Sequence, residues 1–188
     1  VCDAQTDRVP PRPTSRLGGH PERGKVPGVE ASTGALGHGL PIAVGLALAM
    51  RLQERNSRVF VLTGDGEINE GSNWEAGMAA AKHKLSNLTV MVDYNKLQSY
   101  GKTSEVLDLE PLVDKFKSFG FVTHEVDGHD VAALEAIFKK LPFSDSAPSA
   151  IICHTIKGKG FPFAEGNPEW HHKSGMTETD IQQMYDCL

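Results

Sequence analysis

Apolar residues in this chain fall into short unbroken runs, separated by stretches where they recur at helical spacing. The runs are Val59–Leu62, Leu88–Val92 and the strongly apolar Ser149–Ile156; Phe121–Val126, which carries Thr123, His124 and Glu125, is a further expected strand. Runs this short, bounded by Gly, Asn, Asp or Pro and without polar alternation, predict strands buried on both faces. Helical spacing appears from Leu40 to about Arg55, with Leu40, Val44, Ala47, Leu48 and Met50–Leu52 as the stripe and Pro41 in the first turn. A second helix is expected from a Ser72/Glu75 capping box, with Trp74, Met78, Ala81 and Leu85 on one face. Leu109–Phe119 opens near Pro111 and ends before Gly120, and Val131–Leu141 follows an Asp130 N-cap. A last helix covers Met176–Leu188, with Thr177 as its cap. Strands joined by single helices make parallel, right-handed βαβ units. The fold class is therefore α/β: one domain, three layers (α/β/α), with a mostly parallel sheet.

Two strand ends carry polar groups of one kind. Gly64-Asp65-Gly66 breaks the first run and Asp93-Tyr94-Asn95 follows the second, so Asp65 and Asn95 leave neighbouring strands at the same carboxyl edge. Ligands bind open α/β sheets at that edge. A carboxylate and an amide oxygen suit a hard cation, Mg²⁺ or Ca²⁺, and Mg²⁺ commonly shares its shell with substrate phosphates. Glycine on both sides of Asp65 leaves room for a phosphate against the backbone. A plain Asp-Gly turn beside a strand-end Asn is the other reading of the same residues.

Composition excludes several classes. The 188 residues are 39% hydrophobic and 23% charged, as in a globular protein of one domain. A net charge of −5 provides no basic face for nucleic acid. No apolar run approaches the roughly 18 residues of a membrane span, and no secretory signal opens the chain. The three cysteines show no metal spacing; Cys153 falls in an apolar run, where it should be buried and inert, and a reducing cytoplasm is expected. Val1–Arg16 is polar and proline-rich, and should be irregular. Asp127-Gly128-His129-Asp130 is accounted for by a turn plus a helix cap.

The segment GDGEINEGSNWEA…NLTVMVDYNKLQ, with Asn95 thirty residues past Asp65, resembles the thiamine-diphosphate enzymes, and the transketolase family in particular. The likeness runs from about Ser15 to Met176 and is to the diphosphate-binding half, above all in forms split into two subunits. It implies thiamine diphosphate and a metal held by Asp65, Asn95 and the backbone carbonyl of Leu97, with Gly64 and Gly66 beside the diphosphate. Gly18-Gly19-His20-Pro21-Glu22 is similar to the family's G-H-P-E loop, whose histidine positions the sugars; this implies a catalytic role for His20. In Ser32–Gly39, the resemblance implies that Gly34 and Leu36 contact the cofactor's aminopyrimidine ring; the family often has Gln where this chain has His38. Glu70 would meet the catalytic Glu of the partner chain, and Glu67 receives no role. Lys157-Gly158-Lys159-Gly160 resembles a loop bordering the cofactor entrance. His171 matches a histidine that contacts diphosphate and substrate, with His172 standing where the family usually has Gly. Trp170 and Tyr185 are expected to be packing residues.

The activity so implied is transfer of a two-carbon ketol unit between sugar phosphates. The usual upstream helical segment, with its Ser-Lys-Gly-His motif, is expected to be missing from this chain. So is the pyrimidine-binding domain that carries the catalytic Glu. An oligomer with a pyrimidine-binding partner subunit is therefore expected, with no nucleic-acid or membrane partner. Two rivals stand beside this reading. One is another thiamine-diphosphate enzyme, such as deoxyxylulose-phosphate synthase or a ketoacid dehydrogenase component. The other is a non-catalytic cofactor-binding or assembly subunit.

Overall fold

The computed structural model describes residues 18–173 and 175–187; the expectations for Val1–Arg16 lie outside them. Helix α1 (Gly39–Leu52) leads into strand β1 (Val59–Gly64), and the short helix α2 (Asp65–Ile68) follows at once. Then come α3 (Gly71–Lys82), β2 (Leu88–Tyr94), the two-residue strands β3 (Leu97–Gln98) and β4 (Gly101–Lys102), α4 (Thr103–Val106) and α5 (Leu112–Ser118). Strand β5 (Val122–Asp127), α6 (Val131–Phe138), β6 (Ser149–His154), a 3₁₀ turn (Pro168–Trp170) and α7 (Glu178–Asp186) complete the order. The main sheet runs β1-β2-β6-β5, every pair parallel, and β3 and β4 form a separate antiparallel hairpin. Among the described residues no helix is long and apolar enough to cross a membrane.

Strand alternation decides the layers, because successive side chains point to opposite faces. Leu88, Val90, Val92 and Tyr94 of β2, with Ala150 and Ile152 of β6, pack under Leu40, Ala43, Val44 and Ala47 of α1, Ala76 and Ala80 of α3, and Leu112 and Phe116 of α5. The other face of β6, Ile151 and Cys153, packs under Ile137 of α6 and Leu141. Burial pushes the Cys153 thiol up to about 11, so it is an inert core group.

Four expectations are corrected. Strand β1 is not buried on both faces: Phe60 and Leu62 are 46% and 66% exposed, because β1 ends the sheet and α6 covers only its β5–β6 side. The buried face of α3 is Asn73, Ala76, Gly77 and Ala80, not the large stripe; Met78 is half exposed and Leu85 lies past the helix end. Small residues bring α3 close to the sheet, leaving Trp74 at its flank against Phe116 and Phe119, with ring centroids 5.7 and 5.5 Å away. Nor is there a Ser72/Glu75 capping box. The N-cap position of α3 is Glu70, and the Ser72 hydroxyl donates to the Gly37 carbonyl at 2.6 Å. The Asp130 and Thr177 caps are present, accepting from the amides of Ala133 and Asp180. Tyr185 is exposed rather than packed.

Candidate active site

Parallel register aligns Gly64 with Asp93, so Asp65 and Asn95 emerge side by side at the carboxyl edge. Asp65 is only 1% exposed. Its Oδ1 accepts from the Gly66 amide at 2.7 Å and its Oδ2 from the Lys96 amide. Lys96 reaches that position in a left-handed conformation, φ 68°, which side chains other than Gly and Asn seldom adopt. Burial raises the Asp65 carboxyl from 3.8 to about 6; Asp93 adds to this, while the two amides and Lys157 oppose it. Among the described residues no ion pair reaches Asp65.

Asn95 Oδ1 accepts from the Leu97 amide at 3.0 Å, and Leu97 begins the β3–β4 hairpin. That hairpin explains Gly66: a Cβ there would stand 2.7 Å from Cβ of Gln98. At Gly64 an added Cβ meets nothing within 4 Å, so that side of Asp65 is open. No group of three or more His, Cys, Asp or Glu side chains able to hold a metal occurs among the described residues. The expected donors are instead one carboxylate, one amide oxygen and one backbone carbonyl. A buried carboxylate held by amides alone fits such a set, since a cation would supply its missing counter-charge.

A second group of expected residues gathers on the loop before α1. The Thr33 amide donates to the Pro21 carbonyl at 3.1 Å, and the His20 ring lies so close to Gly34 that a Cβ there would be 2.7 Å from it. Gly34 and Gly37 have φ of 110° and 76°. The Gly37 amide donates to Glu67 Oε1 at 3.0 Å, and a Cβ on Gly37 would fall 2.5 Å from that of Glu70. His20, Gly34, Leu36 and Glu70 thus share one rim, where the Leu36 side chain is 59% exposed. His38 Nδ1 donates to the Leu36 carbonyl at 3.0 Å and so braces the loop.

His171 comes from the far end of the chain to the same hairpin, with Nε2 3.3 Å from the Ser99 hydroxyl and Nδ1 buried without a partner among the described residues. Burial, Lys157 and His172 hold its pKa low, so the ring is neutral at pH 7. His172 stacks edge-on against it, with centroids 4.4 Å apart, and has φ 57°; a left-handed conformation is what a glycine at this point would adopt freely. Trp170 is a packing residue against Phe163, at 5.0 Å.

Sequence reasoning gives Glu67 no role, yet it ties the two groups together. Its Oε2 accepts from the Gly64 amide at 3.3 Å while Oε1 holds Gly37. The usable signal is position: Glu67 is the third residue of a helix whose N-cap is Gly64, where a capping glutamate reaches back.

Comparison with known proteins identifies the family. Residues 12–188 match the family model described as transketolase, thiamine diphosphate binding domain. An apulose-4-phosphate transketolase subunit of Actinobacillus succinogenes is 48% identical over 159 residues, covering 85% of this chain and 57% of the relative. The 6-deoxy-6-sulfo-D-fructose transketolase subunit of a Clostridium species is 38% identical over 161 residues, 86% of this chain and 58% of the relative. A transketolase crystal structure from Campylobacter jejuni superposes with a TM-score of 0.85 at 29% identity, over 93% of this chain and 28% of that one. The chain thus spans a little over half the length of the curated subunits it matches. The match places the chain with the transketolases rather than with other thiamine-diphosphate enzymes. By that match over nearly its whole length, this chain belongs to the transketolase family as its thiamine diphosphate binding domain.

Proposed function

We propose that the protein is the diphosphate-binding half of a split transketolase, moving a two-carbon ketol unit between phosphorylated or related sugars. The buried carboxylate of Asp65 at the carboxyl edge, held by two amides and no described ion pair, carries this reading. A divalent cation, Mg²⁺ or Ca²⁺, would be held by Asp65, Asn95 Oδ1 and the Leu97 carbonyl, with Gly64 leaving the diphosphate room. Thiamine diphosphate, when bound, supplies the carbanion and the electron sink for breaking and making the carbon–carbon bond.

The chain's own residues bind, orient and exclude water. Leu36 and Gly34 offer an apolar rim for the pyrimidine ring, and His20, packed on Gly34, stands where sugar hydroxyls would be met. Neutral His171 can give or accept one hydrogen bond at the diphosphate end. Glu70 has no side-chain capping bond and is exposed, so its carboxylate is available to a neighbour. Paired with the partner's catalytic Glu, it would share one proton, since two close carboxylates cannot both ionise freely.

Relatives from two bacteria are each named as one subunit of a transketolase, which supports a second, pyrimidine-binding chain. The test is to assay ketol transfer with the full-length protein alone and after mixing with such a chain. Activity should appear only in the mixture; robust turnover by the protein alone refutes the split site. In the mixture, Asp65→Ala should abolish metal-dependent cofactor binding by calorimetry, and Asn95→Ala should weaken it less. His20→Ala should lower turnover and leave cofactor affinity nearly intact.

A further inference from the structure

The Asp127–Asp130 turn does more than reverse the chain and cap α6. Register places Tyr94, His154 and Asp127 in one row across β2, β6 and β5, so the turn after β5 lies beside the segment leaving β6. Gly128 is pressed onto that segment. Its amide donates to the His154 carbonyl at 2.8 Å, and a Cβ there would sit 2.4 Å from Thr155 Cγ2. The next residue, His129, accepts the Ile156 amide on Nε2 at 2.7 Å. An imidazole nitrogen that accepts carries no hydrogen, so the ring is the neutral Nδ1–H tautomer. The His129 backbone is fixed separately, by its own amide donating to Asp127 Oδ1 at 2.8 Å.

Ile156 immediately precedes Lys157-Gly158-Lys159-Gly160. The far side of that loop is tied by Glu165, which accepts from the Gly160 amide at 3.1 Å and lies 3.7 Å from Lys159 Nζ. At its first residue the Lys157 carbonyl accepts from the Gly166 amide at 2.8 Å, and the left-handed Gly158 passes where a Cβ would be 2.5 Å from the Ala164 carbonyl oxygen. Just before that, His129 holds Ile156, and the Thr155 hydroxyl donates to Asp93. Asn95, His129 and Lys157 line one cavity of about 420 Å³ at this edge. The Lys157 charge is felt at both Asp65 and His171.

We infer that His129 is a positioning residue: through the Ile156 amide it fixes the start of the Lys157–Gly160 loop and so aims the Lys157 ammonium at the diphosphate end of the site. This rests on the proposed thiamine diphosphate site. Lysine is a flexible point charge whose hold on a phosphate depends on where its backbone is kept.

The test uses the full-length protein mixed with its pyrimidine-binding partner chain, thiamine diphosphate and Mg²⁺. His129→Ala should speed amide exchange at Ile156 and weaken cofactor affinity about tenfold, the scale of one lost hydrogen bond. His129→Gln, whose Oε1 can accept the same N–H, should restore most of both. Lys157→Ala should weaken binding as well, and adding His129→Ala to it should lose nothing further, because the two act as a unit. Unchanged Ile156 exchange in His129→Ala overturns the inference, as does full additivity with Lys157→Ala. A Gln variant that folds but stays tenfold weak also overturns it. A wild-type mixture that binds no thiamine diphosphate instead brings down the functional reading, and this inference with it.

Discussion

Asp65 should make the cofactor-free protein less stable as pH rises. Its carboxyl titrates near 3.8 in a solvated chain and at about 6 when folded, with burial as the main cause. An acid whose folded value is the higher one binds its proton more tightly in the native state. Stability is then lost between pH 3.8 and about 6, and the full penalty stands above that range. At about 1.4 kcal/mol for each factor of ten, the penalty is about 3 kcal/mol at pH 7.5 and roughly half that at pH 5. Urea denaturation of metal-free wild type and Asp65→Asn should therefore give a difference in stability that shifts by about 1.5 kcal/mol against the wild type between pH 5 and 7.5. The amide of the variant keeps one N–H partner and turns its NH₂ toward the other. That cost does not vary with pH, so the slope, not the offset, reports the carboxylate. Saturating Mg²⁺ and thiamine diphosphate should flatten the slope by giving the ionised group its counter-charge. A wild-type-minus-variant difference that stays level across this range refutes the argument.

Gly37→Ala should destabilise the protein by about 2–4 kcal/mol in thermal or urea melts, because it forces a side chain into φ 76° and against Glu70 and Ser72. Gly45→Ala is the opposite case: it lies inside α1 with open space around it, and should stabilise by about 0.5–1 kcal/mol. Glu67→Gln keeps only one acceptor for the Gly37 and Gly64 amides. Exchange at one of them should rise about tenfold by hydrogen-exchange NMR, and unchanged rates at both would remove Glu67 as the tie.

Much of the site was legible because its signals are local. Val59–Leu62 and Leu88–Val92 announce strands by their own composition, and the polar residues that end them must emerge where the strands end. Asp65 and Asn95 therefore reach one edge once the strands are parallel, which a helical crossover connection requires. Gly34 and Gly37 stand where the backbone turns left-handed. The Asp130 and Thr177 caps involve only the next few residues. Each of these is decided within a stretch short enough for the sequence to hold both partners.

What the tertiary structure alone decided depends on partners far apart in the chain. Nothing within Val59–Leu62 shows that its strand would end the sheet and leave Phe60 and Leu62 exposed; that follows from which strands and helices arrive later. The small face of α3 was masked by Trp74 and Met78, since helical spacing marks large apolar residues more strongly than a row of Ala and Gly, although close packing against a sheet selects the small row. Glu67 reaches Gly37, thirty residues earlier, and His129 reaches Ile156, twenty-seven residues later. A turn with an N-cap accounts for the Asp127–Asp130 backbone, but its histidine acquires a partner only when β5 and β6 pair in register. Local composition determines which elements form and where their polar ends lie; sheet order and register determine which of those ends meet, because those choices are made by packing between segments distant in sequence.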